Sequence, residues 1–173
     1  MTFNVDKCVV LHVGSNNERN SYRLGDQELK SSNMEKDLGI IMDSSLKFSE
    51  QCSVAVKSAN QTLGLIKRTV KSRNKIVIGR LYTALVRPKL EYCIQAWRPF
   101  LRKDIDKLER VQKRATRMIS ECKGQLKSYE ARVKMLGLIT LEERITRGDL
   151  IQVFKLIKGF DNLDYRTFFY IVR

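Results

Sequence analysis

The chain has 173 residues, 43% of them hydrophobic and 30% charged, which suits one compact domain or two small ones. Its 33 Lys+Arg against 19 Asp+Glu leave a net charge of +14, the signature of a polyanionic partner: nucleic acid or an anionic membrane face. No apolar run reaches bilayer-spanning length and the residues after Met1 lack a basic-then-apolar leader, so neither a membrane-spanning nor a secreted chain is expected; the sequence does not fix where the chain resides, which would be cytoplasm or nucleus if it is expressed.

Strand signals come first. Val5–Val13 is rich in Val and Leu and ends at Gly14-Ser15-Asn16-Asn17, a cluster of turn formers. Ser21–Leu24 and Gln27–Lys30 read as strands around a Gly25-Asp26 turn, and Lys36–Met42 is a further apolar run, broken by Asp43-Ser44-Ser45. The expected unit is a small antiparallel sheet.

At Phe48 the period changes. Phe48, Cys52, Ala55, Ala59, Leu63, Ile66 and Val70 recur at three and four residues, one face of a helix. A second helix should turn Ile78, Leu81, Tyr82 and Leu85 inward, with a break or kink at Pro88 and a short helix from there to about Trp97. Ile105, Leu108, Val111, Ala115, Met118 and Ile119 form an amphipathic stripe through Asp104–Ser120. Lys123-Gly124 should end that helix; Leu126, Tyr129, Val133 and Leu136 mark a shorter one; Thr140-Leu-Glu-Glu143 is a capping box for a last helix stopped by Gly159. The fold class is therefore α+β, mostly α: strands, then five or six helices.

The charge is not spread evenly. Residues 1–50 hold 6 basic and 8 acidic residues, 51–120 hold 17 and 4, and 121–173 hold 10 and 7, so the middle carries +13 of the +14. No acid lies between Gln51 and Leu90, a stretch that includes Lys57, Lys67, Arg68, Lys71, Arg73, Lys75, Arg80, Arg87 and Lys89. The outer face of the Asp104–Ser120 helix adds Lys103, Lys107, Arg110, Lys113, Arg114 and Arg117. Lysines and arginines in helical register can neutralise successive phosphates and release counterions, whereas a solubilising surface would mix signs. Of the 17 cations of the middle region, the candidate nucleic-acid contacts are Lys57, Lys67, Arg68, Lys71, Arg73, Lys75, Arg80, Lys103, Lys107, Arg110, Lys113, Arg114 and Arg117.

Other chemistry finds little support. A two-metal polymerase or nuclease needs clustered carboxylates, and the nearest pair, Asp104 and Asp106, points to different faces of a helix, where solvation and dipole compensation account for it. Cys8, Cys52, Cys93 and Cys122 form no CxxC pair and His12 is the only histidine, which favours reduced, buried thiols over a zinc set. Tyr82, Tyr92 and Trp97 suit core packing better than base stacking.

Phe3-Asn-Val-Asp-Lys-Cys8 with His12-Val-Gly14, Glu35-Lys-Asp-Leu-Gly-Ile-Ile41, Leu85-Val-Arg-Pro-Lys-Leu-Glu-Tyr-Cys93 with Trp97, and Arg102-Lys-Asp-Ile-Asp-Lys-Leu-Glu-Arg-Val-Gln112 stand in one order along the chain, followed by Leu141-Glu-Glu-Arg and Arg147-Gly-Asp-Leu150. Together they resemble the end of the reverse-transcriptase region of LINE-type non-LTR retrotransposons of the jockey and chicken-repeat kind. The resemblance implies a palm remnant over residues 1–45, a basic thumb-like helical region over 46–120 and a C-terminal helical extension over 121–173. It likens Asn4-x-x-Lys7 to a palm motif near the departing pyrophosphate and Asp37-Leu38-Gly39 to the primer-grip turn; on their own, Lys7 is any exposed strand lysine and Gly39 a bend. It implies a thumb that follows a template-primer duplex by backbone contacts to RNA, an RNA–DNA hybrid or DNA.

In that family the paired catalytic aspartates would precede Phe3, where this chain begins. The expectation is a non-catalytic fragment of an RNA-directed DNA polymerase, with no cofactor of its own although the parent polymerase would use magnesium, and with the remaining polymerase domains as possible partners. Two other readings stand beside it: a protein-interaction module, and a degenerate open reading frame without function.

Overall fold

Three short ladders precede seven helices in the computed structural model, which describes residues 4–122 and 128–169. The strands are β1 (Val9–Leu11), β2 (Arg23–Leu24), β3 (Gln27–Glu28), β4 (Lys30–Ser32), β5 (Met34–Asp37) and β6 (Ile40–Asp43). The helices are α1 (Ser49–Thr69), α2 (Lys75–Leu81), α3 (Arg87–Glu91), α4 (Ile94–Trp97), α5 (Arg102–Thr116), α6 (Tyr129–Met135) and α7 (Leu141–Ile157). The chain is α+β and mostly α, and no helix among the described residues is long and apolar enough to cross a membrane. Lys123, Gly124 and Leu126, read above as a helix end and the start of the next, lie outside the described residues, as does Phe3.

The strand region is more broken than its composition suggests. Val5–Lys7 forms a 3-10 turn instead of the start of a strand, because the Asn4 side chain accepts the Asp6 N–H at 3.1 Å and offers the backbone a local partner. β2–β3 and β5–β6 are antiparallel, whereas β1 pairs with β4 in parallel, Val9 opposite Lys30. The β5–β6 turn places Leu38 at φ 46° and Gly39 at φ 87°, the left-handed pair of a tight hairpin with the twist of its strands. No residue of these ladders is buried; they are held to the helices by Gln51, whose Oε1 accepts the Ile41 N–H at 3.0 Å, and by Ile40 against the core.

The core is helical. Cys52, Ala55, Ala59, Leu63 and Ile66 of α1 meet Leu108, Val111 and Ala115 of α5, with Trp97 fully buried beside them. Between α2 and α3 lies a π turn, Tyr82–Val86, in which the Arg87 N–H reaches back to the Tyr82 carbonyl. Its cause is legible in the spacing. Ile78, Tyr82, Val86 and Leu90 are all buried and each four residues apart, a period that drifts around an α-helix and stays on one face where the helix widens. The wider turn also frees the carbonyl that the Pro88 ring would otherwise strike. It corrects one expectation: Leu85 is 48% exposed and Val86 takes the inward place. Helix α3 continues from there to Glu91, and the break falls at Tyr92-Cys93, where Cys93 has φ 48°.

Two further expectations change. Tyr92 is exposed, donating its hydroxyl to the Leu38 carbonyl at 3.1 Å, while Tyr82 and Trp97 are core as expected. Of the four cysteines, all free, Cys52 and Cys122 are buried, but Cys93 is exposed because it sits at the α3–α4 corner, and Cys8 is half-buried. The capping box at Thr140 and Glu143 is present, and α7 ends as Gly159 implied: at φ 69° its N–H donates to Leu156 O at 3.1 Å and the Phe160 N–H to Lys155 O at 3.0 Å.

Candidate nucleic-acid interface

Helices α1 and α5 lie side by side in the same direction. At their N-terminal ends Ser49 Oγ donates to Asp104 Oδ2 at 2.5 Å; further along, Arg114 Nη1 donates to Asn60 Oδ1 at 2.9 Å. Between their C-terminal halves opens a groove of about 540 Å3 lined by Asn60, Leu63, Gly64, Lys67, Arg73, Arg114, Arg117 and Met118. Four of these eight are cations and none is an acid. Gly64 leaves the wall open: a Cβ built there would meet nothing within 4 Å.

Parallel helices bring both C-terminal dipole ends to this place, and cations in last turns are favoured on that ground alone. The magnitudes decide how far that goes. Each helix end carries roughly half a negative elementary charge, so two ends balance about one of the four cations. Arg73 has a partly structural duty: its Nη2 donates to the Lys67 carbonyl at 2.6 Å, closing the end of α1, and its Nη1 is buried without a partner. Lys67, Arg114 and Arg117 make no ion pair among the described residues.

The remaining candidates fall into three groups. Lys57, Arg68 and Lys71 are exposed on or just beyond α1, and Lys103 and Arg110 continue the Arg114–Arg117 face of α5 toward its start, a stripe about 21 Å long at 1.5 Å rise per residue. Lys75 and Arg80 line a separate cleft with Ile76, Gly79, Thr83, Leu136 and Leu138. Lys107 and Lys113 are engaged: the Lys107 ammonium is 2.8 Å from Asp104 Oδ1, and Lys113 lies over the Tyr129 ring at 5.0 Å. Asn4, Lys7, Asp37, Leu38 and Gly39 are not part of the groove; β6 meets α1 through Gln51, at the opposite end of that helix.

Of the two acids expected to be solvated on the helix, Asp106 is, but Asp104 holds the scaffold. Asp104 is fully buried, and although burial raises its carboxyl, the bonds from Lys107 and Ser49 outweigh this and hold it below the usual carboxylate range. Asp106 pairs instead with Arg102 at 2.8 Å. Glu109, also buried, accepts the Leu141 and Glu142 N–H groups at 3.2 Å each, capping α7 from the flank of α5 away from the groove. Gln112 completes the scaffold: Tyr82 donates to its Oε1 at 2.7 Å, and its Nε2 donates to the Tyr129 hydroxyl and the Ile139 carbonyl, each at 2.8 Å. Among the described residues no three His, Cys, Asp or Glu side chains gather where they could hold a metal ion.

Asn60 and Gly64 were missed from the sequence. Their four-residue spacing on α1 was available, but only the juxtaposition with α5 gives it meaning. No protein-family model, curated protein or solved structure matches the chain.

Proposed function

We propose that the chain binds the sugar-phosphate backbone of a nucleic-acid duplex along the groove between α1 and α5, as a thumb-like module without polymerase chemistry of its own. The observation that carries this is the acid-free lining, in which Lys67, Arg73, Arg114 and Arg117 converge from two helices and a loop. Its resemblance to the end of a LINE-type reverse transcriptase supports the same reading and names a template-primer duplex, RNA–DNA or DNA, as the ligand class. Backbone recognition fits the residue types, since the groove offers point charges and guanidinium forks but no exposed aromatic platform for bases.

The test replaces Lys67, Arg114 and Arg117 together by Gln. Arg73 stays because it closes α1. Binding to hybrid duplexes of unrelated sequence is expected to weaken uniformly, with the salt slope falling by roughly 2 to 3. A control variant that replaces Lys75, Arg80 and the exposed Lys57 by Gln, also three charges and outside the groove, is expected to change much less. Equal losses from both variants would point to diffuse charge and remove the groove from the reading.

A further inference from the structure

The outer face of α7 is unlike the rest of the surface. Leu150, Ile151, Phe154 and Ile157 lie on it at 66, 47, 55 and 42% exposure, and Phe160, whose ring centroid is 6.4 Å from that of Phe154, extends the patch at 72%. Helix α7 is anchored through its first half, by Leu141 and Ile145 in the core, by Glu109 at its N-terminus and by Asp149 against Arg98, while its second half, which carries the patch, buries no residue. Single exposed apolar residues are ordinary; a contiguous patch along one helix face marks an interface.

We propose that this face is the interface of a two-fold homodimer, in which α7 packs antiparallel against α7 of a second copy. Area is the first argument. Five large side chains exposed to this degree present on the order of 100 Å2 each, roughly 500 Å2 of apolar surface per copy. With the polar rim such cores carry, that approaches the ~800 Å2 per partner of a specific interface.

Charge order along the helix is the second. Outward-facing residues run Glu143, Arg147, then the apolar block, then Lys158, with acid at the start and base at the end. Antiparallel pairing that sets Leu150 on the partner's Ile151 puts Glu143 opposite the partner's Lys158, whose ammonium lies at the edge of the patch 6.0 Å from its own Phe154 ring, twice by symmetry. Glu143 uses Oε2 for both of its bonds to Thr140, which leaves Oε1 for the ammonium. Parallel pairing would instead put like charges together. The basic groove lies on the flank of α5 away from α7, so a dimer leaves two grooves open; the proposal does not depend on what they bind.

Sedimentation of the full chain over a concentration series tests this. A reversible dimer is expected, abolished by L150E/F154E while helicity and cooperative melting persist. K158E, which leaves the Thr140–Glu143 cap of α7 intact, should weaken it roughly tenfold. A chain that stays monomeric would overturn the proposal and assign the face to a different partner. Open-ended assembly, or a dimer indifferent to L150E/F154E or to K158E, would overturn it too.

Discussion

At the scale of single residues, burial and hydrogen bonding decide more than charge. Gln112 is the clearest case, one uncharged side chain whose amide joins Tyr82, Tyr129 and the Ile139 carbonyl across three segments. Gln112→Ala leaves buried partners unsatisfied and opens a cavity, and is expected to cost about 3 kcal/mol in equilibrium denaturation, against less than about 0.5 kcal/mol for Lys103→Gln. The same site sets an alkaline limit. Burial raises the Tyr82 and Tyr129 hydroxyls above the ordinary value of 10.0, Tyr129 further because it donates to Glu109, and burial beside Asp104 raises the Cys52 thiol from 9.0 to about 11. Folded pKa values above unfolded ones mean stability that is complete below the unfolded pKa and lost as pH rises. Stability is therefore expected to fall from about pH 9 upward, with the tyrosinate absorbance of Tyr82 and Tyr129 appearing only on unfolding. Titration of all tyrosines near their ordinary value in the folded protein would contradict the buried network.

At the scale of elements, periodicity was legible wherever a single helix face was enough. The seven-residue set from Phe48 to Val70 locates α1, and the Thr140 box and Gly159 bracket α7, because caps and amphipathic faces are local in sequence. The helix through Pro88 misled for a physical reason. Its inward residues keep a spacing of four, which an α-helical wheel smears over its circumference, so α-helical periodicity points to Leu85, and the π turn puts Val86 inward instead. Val86→Ala is accordingly expected to cost about 2 kcal/mol and Leu85→Ala a few tenths, measured by denaturant titration. Equal costs would mean that the helix is regular in solution. The strand signals were legible as to type but not extent: Val5–Val13 is rich in Val and Leu, yet the Asn4 turn delays the strand to Val9, and it ends at Leu11.

At the scale of the whole molecule, the α+β class and the concentration of charge in residues 51–120 could be read directly, whereas the groove could not. Thirteen cations looked alike in the sequence; folding puts four in one groove, gives Lys107 to Asp104, turns Lys113 onto Tyr129 and sends Lys75 and Arg80 elsewhere. That sorting depends on which helices are neighbours, and so on tertiary packing that no local pattern encodes. The ladders of β1 to β5 bury nothing of their own, so amide exchange there is expected to be orders of magnitude faster than in α1 and α5, at free energies well below global unfolding. The most direct test of the account is the affinity of the purified chain for an RNA–DNA hybrid as a function of salt. Engagement of the groove by phosphates predicts that log K falls linearly with log salt with a slope of about −3 to −4, whatever the sequence of the duplex. A slope near zero, or no binding at low salt, would contradict it.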